Sequence, residues 1–178
     1  TTLRRCADWA AREGLLGRSD VRELSGLRGT APENAPPDIT LRRRGLSEAE
    51  LQRLLADLDE SGPPRDRAIA RVLLETGLKV GALVRLRVQD VDLRTGTVDP
   101  PPGVTGPSRI PLSPPTVGAL AVYLGIRGLL PGALFMVERG PLGANAIQRM
   151  LRKHGKRLGL ELSPGALRHS FARRLVNG

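Results

Sequence analysis

The chain has 178 residues, 40% of them hydrophobic, enough for one domain with a real core or one domain plus a fragment of another. Lys and Arg outnumber Asp and Glu 28 to 18, giving a net charge of +10 and a pI near 11.3, which points to a polyanionic partner, nucleic acid or an anionic membrane face. The lone Cys6 excludes a disulfide framework and a cysteine-based metal site and fits a reducing, cytoplasmic setting; no apolar run approaches the ~20 residues of a membrane span, and nothing at the start reads as a secretory signal.

All the cationic residues except Lys79, Lys153 and Lys156 are arginines, whose planar fork suits phosphate oxygens. Codon bias in a GC-rich genome would also produce that ratio, but not the net charge. Only Trp9, Tyr123, Phe135 and Phe171 are aromatic, so the core is built from Leu, Val, Ile and Ala, and stacking platforms for single strands are scarce.

Residues 3–13 read as one helix, with Leu3, Cys6, Ala7, Ala10 and Ala11 on a shared face. Gly14 ends it. Gly26 to Gly45 is polar and proline-containing and carries the run Arg42-Arg43-Arg44, which reads as a linker. That run is either a solvated tether or a contact to a DNA backbone. Ser47 and Glu50 form a capping box, followed by Leu51, Leu54, Leu55 and Leu58 at helical spacing. Gly62-Pro63-Pro64 starts a second helix with Ile69, Val72 and Leu73 inward, and Gly77 stands where a C-terminal cap belongs.

A short helix is expected over Val80–Arg85. Thr97-Val98-Asp99 and Ser108 to Leu112 are brief strand candidates, and Pro100, Pro101 and Pro102 preclude a long ladder. Ser113-Pro114-Pro115 opens a helix through Tyr123 or Leu124. Gly143 to Leu158 is the next helix. Ile147, Met150, Leu151 and Leu158 point inward, and Arg149, Arg152, Lys153, Lys156 and Arg157 lie on the other face. That basic face is either a solvated surface or a DNA-facing one. The last helix is capped by Ser163, with Pro164 at its first position and Leu167, Phe171 and Leu175 as its apolar stripe. His154 and His169 share no metal-ligand spacing with Cys or acidic residues.

Four segments carry a family resemblance: Leu46-Ser47-Glu48-Ala49-Glu50-Leu51; Glu75-Thr76-Gly77-Leu78-Lys79-Val80-Gly81-Ala82-Leu83 with Leu86 and Asp90-Val91-Asp92-Leu93; Gly103 to Leu112; and Leu162 to Ala172 with Leu167-Arg168-His169 at its centre. In this order and spacing they resemble the catalytic domain of tyrosine recombinases, the phage integrase family. Residues 3–16 resemble the final helix of that family's preceding core-binding domain. The resemblance implies a mainly α fold with a small antiparallel β hairpin or sheet. The implied organisation is a core-binding fragment over 1–25, a basic linker over 26–45 and a truncated catalytic-like domain over 46–178.

Such enzymes break and rejoin DNA through a phosphotyrosine. The chemistry uses a Tyr nucleophile, two Arg on the non-bridging phosphate oxygens, a hairpin Lys as acid to the leaving oxygen and His groups for proton transfer. Carried over by position, the first Arg falls on Lys79, which keeps the charge without the bidentate fork. Its acidic buttress falls on Ala82, the hairpin Lys on Val104, and the His three residues before the second Arg on Gly165. Arg168 matches the second Arg, and His169 matches the histidine that supports the fold. The Tyr position lies past Gly178, and Tyr123, the sole tyrosine, reads as a core residue.

The expectation is a duplex-DNA-binding protein of the tyrosine recombinase type that cannot cleave in this form, cytoplasmic and nucleoid-associated, needing no cofactor or metal. Arg168, Lys79 and His169 are the remnant catalytic positions. Arg42, Arg43, Arg44, Arg149, Arg152, Lys153, Lys156, Arg157 and Arg168 are the DNA-binding set. Two alternatives stay open: a fragment of an active recombinase whose Tyr lies downstream, and a regulator that pairs with a full-length recombinase or with itself. A chain opening on Thr1 part-way into a recognisable helix reads as a trimmed or proteolysed product.

Overall fold

The computed structural model describes residues 45–177; the expected helix at 3–13 and the Arg42-Arg43-Arg44 run lie outside them. Helix α1 (Glu48–Ser61) starts as its capping box requires. Ser47 Oγ accepts from the Glu50 N–H at 3.2 Å, and the Glu50 carboxylate accepts from the Ser47 N–H at 2.7 Å. Leu51, Leu54 and Leu58 bury its inner face.

Helix α2 (Pro64–Thr76) is the centre of the domain, with Ala68, Ile69, Ala70, Val72, Leu73 and Leu74 all buried. A helix apolar on most of its circumference must be covered on several sides, and α2 packs against α1, α4 (Pro114–Arg127) and α6 (Pro164–Asn177). It ends at Gly77, which adopts φ 60°, a left-handed conformation that glycine takes without a Cβ penalty. Helix α3 (Val80–Leu83) and a single 3-10 turn (Val88–Asp90) follow.

The expected hairpin is part of a three-stranded antiparallel sheet ordered β1 (Val91–Asp92), β2 (Thr97–Val98), β3 (Ile110–Pro111), with Val98 opposite both Val91 and Ile110. The first strand carries no readable signal in sequence, because two residues are too few to show a period. Arg109 spans β2 to β3 by an ion pair to Asp99, Nε to Oδ1 at 2.9 Å. The hydrogen bond from Arg109, reinforced by its charge, holds the Asp99 carboxyl below the ordinary aspartate value. Because the shift is downward, its contribution is complete above the unfolded-state pKa and disappears as the pH falls through the folded one. In an NMR titration the Asp99 carboxyl is expected to protonate at lower pH than a model aspartate, and Arg109→Ala to return it to the ordinary range. An unchanged titration in that variant would show that the pair does not form.

Helix α4 runs to Arg127, three residues beyond the expected end at Leu124. Gly125 does not end it, since an isolated helical glycine costs only about 1 kcal/mol, and the helix stops at Gly128, whose N–H donates to Leu124 O. A second hairpin, β4 (Met136–Val137) with β5 (Gly140–Pro141), was not anticipated. Tyr123 is buried beneath it. Its hydroxyl donates to Leu134 O at 3.2 Å and accepts from the Met136 N–H at 3.0 Å, and its ring stacks on Phe135. Helix α5 (Ala144–Leu158) ends at the left-handed Gly159.

Within α6, Leu167 and Ala172 are buried, whereas Phe171 and Leu175 of the expected stripe are only half-buried. The chain enters the domain against this helix. The Leu46 N–H donates to Ser170 Oγ at 2.7 Å, and Gly45 lies so close that an added Cβ would stand 2.8 Å from Ser170 N.

Candidate functional site

The first turn of α6 is shaped by Ser163, whose Oγ accepts from the Ala166 N–H at 3.0 Å. Ser163, Pro164, Gly165 and Ala166 form one wall of an open cleft of about 710 Å³. Val80 of α3 and Gln148, Arg152 and Lys156 of α5 line the cleft with them, and Glu161 stands in the connecting loop. The two cations and the positive end of the α6 dipole make such a cleft suited to an anion.

Arg168, one turn into α6, is half-buried, and its Nη1 donates to Gly77 O at 2.9 Å. This bond joins two of the four motif segments recognised in sequence. Lys79, two residues past Gly77, is exposed at the N-terminal cap of α3. Folding therefore brings the Lys79 segment and Arg168 to one place. His169 is half-buried beside Arg168. Ala82 is buried and Val104 packs on the core edge, so neither offers a polar group. Gly165 leaves its position open, the nearest atom to an added Cβ being Ser163 Oγ at 3.6 Å.

The basic face of α5 divides. Arg152 and Lys156 line the cleft, while Arg149 and Lys153 are exposed. None of the four forms an ion pair among the described residues. Arg157 instead pairs with Asp57 of α1. On the opposite side of α5, buried His154 lies 3.3 Å from Asp57 Oδ2 and 3.5 Å from Asp66 Oδ2. The acidic partners that sequence spacing did not give to His154 come from α1 and α2, far away in the chain. Among the described residues no group of three or more His, Cys, Asp or Glu is arranged to hold a metal ion.

Sequence reasoning missed the part played by Glu75. Its carboxylate accepts from the Ser113 N–H at 2.8 Å, from Ser113 Oγ and from Thr116 Oγ1 at 2.6 Å, capping α4 from the end of α2. Ser113-Pro114-Pro115 signals the helix start, but no local pattern announces an acid 38 residues away. Gln148 and Glu161 were also unassigned, although both line the cleft.

A profile of the phage integrase family matches residues 44–178. The chain belongs to this family. It is similar to tyrosine recombinase XerD of Pseudomonas aeruginosa, 32% identical over 95% of this chain and 65% of the relative. It is also similar to tyrosine recombinase XerC of Salmonella typhi, 30% identical over 99% of this chain and 58% of the relative. Among solved structures, the XerA recombinase superposes with a TM-score of 0.68 at 27% identity, covering 99% of this chain and 68% of that one. The XerH recombinase bound to its difH substrate shares the fold at TM-score 0.64 and 22% identity, over 75% of this chain and 42% of that one. The chain thus spans 58 to 65% of the length of these curated relatives. The mainly helical architecture with small antiparallel sheets is that of the tyrosine recombinase catalytic domain. No helix among the described residues is long and apolar enough to cross a membrane.

Proposed function

We propose that this chain binds duplex DNA as a recombinase-type domain, in the cytoplasm at the nucleoid, and does not cut DNA unaided. The observation that carries the reading is the cleft at the start of α6, where Arg152 and Lys156 converge next to the Arg168–Gly77 junction. Arg149 and Lys153 extend the positive surface along α5. In this reading residues 1–25 are the last helix of a core-binding domain, and 26–45 is a linker whose Arg42, Arg43 and Arg44 follow the phosphate backbone. The XerH structure with difH substrate and the Tn1549 integrase structure with circular intermediate DNA support duplex DNA as the ligand.

Cleavage is a separate demand. Losing one transition-state donor costs about 3–4 kcal/mol of barrier. Lys79 lacks the arginine fork, Val104 cannot donate a proton, Gly165 carries no imidazole, and the hydroxyl of the sole tyrosine, Tyr123, is engaged in the core. A grip through about four phosphates loses roughly a hundredfold in affinity between 50 and 200 mM salt. Fluorescence anisotropy on a labelled duplex is expected to show that loss, with Arg168→Ala weakening binding about tenfold at fixed salt. A nicked suicide duplex is expected to trap no covalent adduct. Salt-independent binding would sink the electrostatic grip, and an adduct would sink the non-cleaving reading.

A second reading is favoured by one observation: the chain covers only 65% of the XerD relative's length. Here the segment is part of an active recombinase whose nucleophile lies downstream. The same suicide substrate, presented to the gene product extended on both sides, separates the two readings.

A further inference from the structure

The charged groups facing buried His154 come from three helices. Asp57 of α1 places Oδ2 3.3 Å from Nδ1, and Asp66 of α2 places Oδ2 3.5 Å from Nε2. Arg65 of α2 holds the other oxygen of Asp66 at 2.9 Å. Arg157, one turn along α5, closes on the same Asp57 oxygen that faces the ring, and its Nη2 stands 3.2 Å from Nδ1.

These distances suit a neutral ring. The proton on Nε2 is donated to Asp66, and the bare Nδ1 accepts from Arg157 beside Asp57. A second proton reverses the contact at Nδ1. That nitrogen becomes a donor aimed at Asp57, and the imidazolium faces a guanidinium 3.2 Å away. Two like charges at that distance repel and compete for one carboxylate oxygen. The ring is locked in place, its side chain 7% exposed. Arg157 is 47% exposed and can turn into water.

We infer that protonation of His154 releases Arg157 from Asp57 and frees it for one more phosphate. Arg149, Lys153 and Arg157 recur every four residues, so they form one row along α5. Arg149 and Lys153 are exposed, whereas Arg157 is turned aside to Asp57. Once released, it lengthens the row by a turn. Histidine is the side chain that changes charge between about pH 5 and 8, so the grip on DNA tightens as the pH falls through that range. The tighter grip rests on the DNA-binding reading; the release itself does not.

Two measurements test this. Without DNA, a double-mutant cycle of Arg157→Ala and Asp57→Asn, read by urea unfolding, gives the coupling within the pair. The coupling is expected at about pH 7.5 and is expected to be lost at about pH 5.5. In a His154→Gln background it is expected to be equal at both, which separates the ring from protonation of Asp57 itself. With a labelled duplex, the log–log salt slope is expected to steepen by about 1 between the same two pH values. Arg157→Ala, at an exposed position, is expected to fold normally and to remove that increment. His169 is common to every variant, so its own titration does not enter the difference. Coupling that survives at the lower pH overturns the inference, as does steepening undiminished in Arg157→Ala. Lost coupling with no measurable DNA binding at either pH upholds the release and sinks the DNA-binding reading instead.

Discussion

Gly77→Val is expected to destabilise the domain by about 3 kcal/mol, read as a lowered urea midpoint with little change in slope. Two costs combine. Gly77 holds φ 60°, where a side chain costs roughly 1 kcal/mol relative to glycine. A Cβ there would also stand 2.2 Å from Cδ1 of Phe171, and overfilling a packed site of this kind costs about 1–3 kcal/mol. Relief requires Phe171 to swing away, which shifts α6 and with it Arg168, whose guanidinium bonds the Gly77 carbonyl. DNA affinity should fall along with stability. Gly81→Ala is the control, since an added Cβ meets nothing within 4 Å and its effect should stay within about 0.5 kcal/mol. Equal stability of Gly77→Val and the native chain would mean that the α2–α6 junction is not built this way.

Reversing the two cleft cations, Arg152→Glu with Lys156→Glu, is expected to have the largest effect on binding. Each phosphate contact removed lowers the magnitude of the log–log salt slope by about 1. The double variant should therefore flatten the slope by about 2 and lower low-salt affinity at least a hundredfold. Both side chains are exposed and unpaired among the described residues, so thermal stability should barely move. A slope unchanged by the double reversal would place the DNA elsewhere on the molecule.

Much of this architecture was legible in the residues because the signals were local. The Ser47–Glu50 box, the Gly77 cap, the proline starts of α2, α4 and α6 and the 3.6-residue stripes of α1, α2 and α5 are each set by neighbours within a few positions. What escaped reading was either very short or distant in sequence. Strands of two residues have no period to detect, so β1 and the β4–β5 hairpin passed unseen. Helix α4 continues past Leu124 through Gly125, whose small helical penalty is outweighed by burial of Leu120, Tyr123 and Leu124, on a helix packed against α2. At the site, Arg168 and the α5 cations were named from sequence. Their division was not: nothing local says that Arg152 and Lys156 turn to the cleft while Arg157 turns to Asp57. Glu75 and His154 gain their partners only when α2 meets α4, and when α1 and α2 meet α5.

The His154 seam also sets the angular position of α5. Apolar contacts alone tolerate a helix rolling about its axis, because side chains such as Leu151 and Ile147 pack acceptably over a range of orientations. A buried imidazole facing Asp57 on one flank and Asp66 on the other, with Arg157 closing on Asp57, does not. Rolling by one residue, about 100°, would take His154 away from both carboxylates and carry Arg152 and Lys156 off the cleft. The polar seam thus acts as a keyway, and the direction in which the helix offers its positive charge outward is fixed by groups on its inner side.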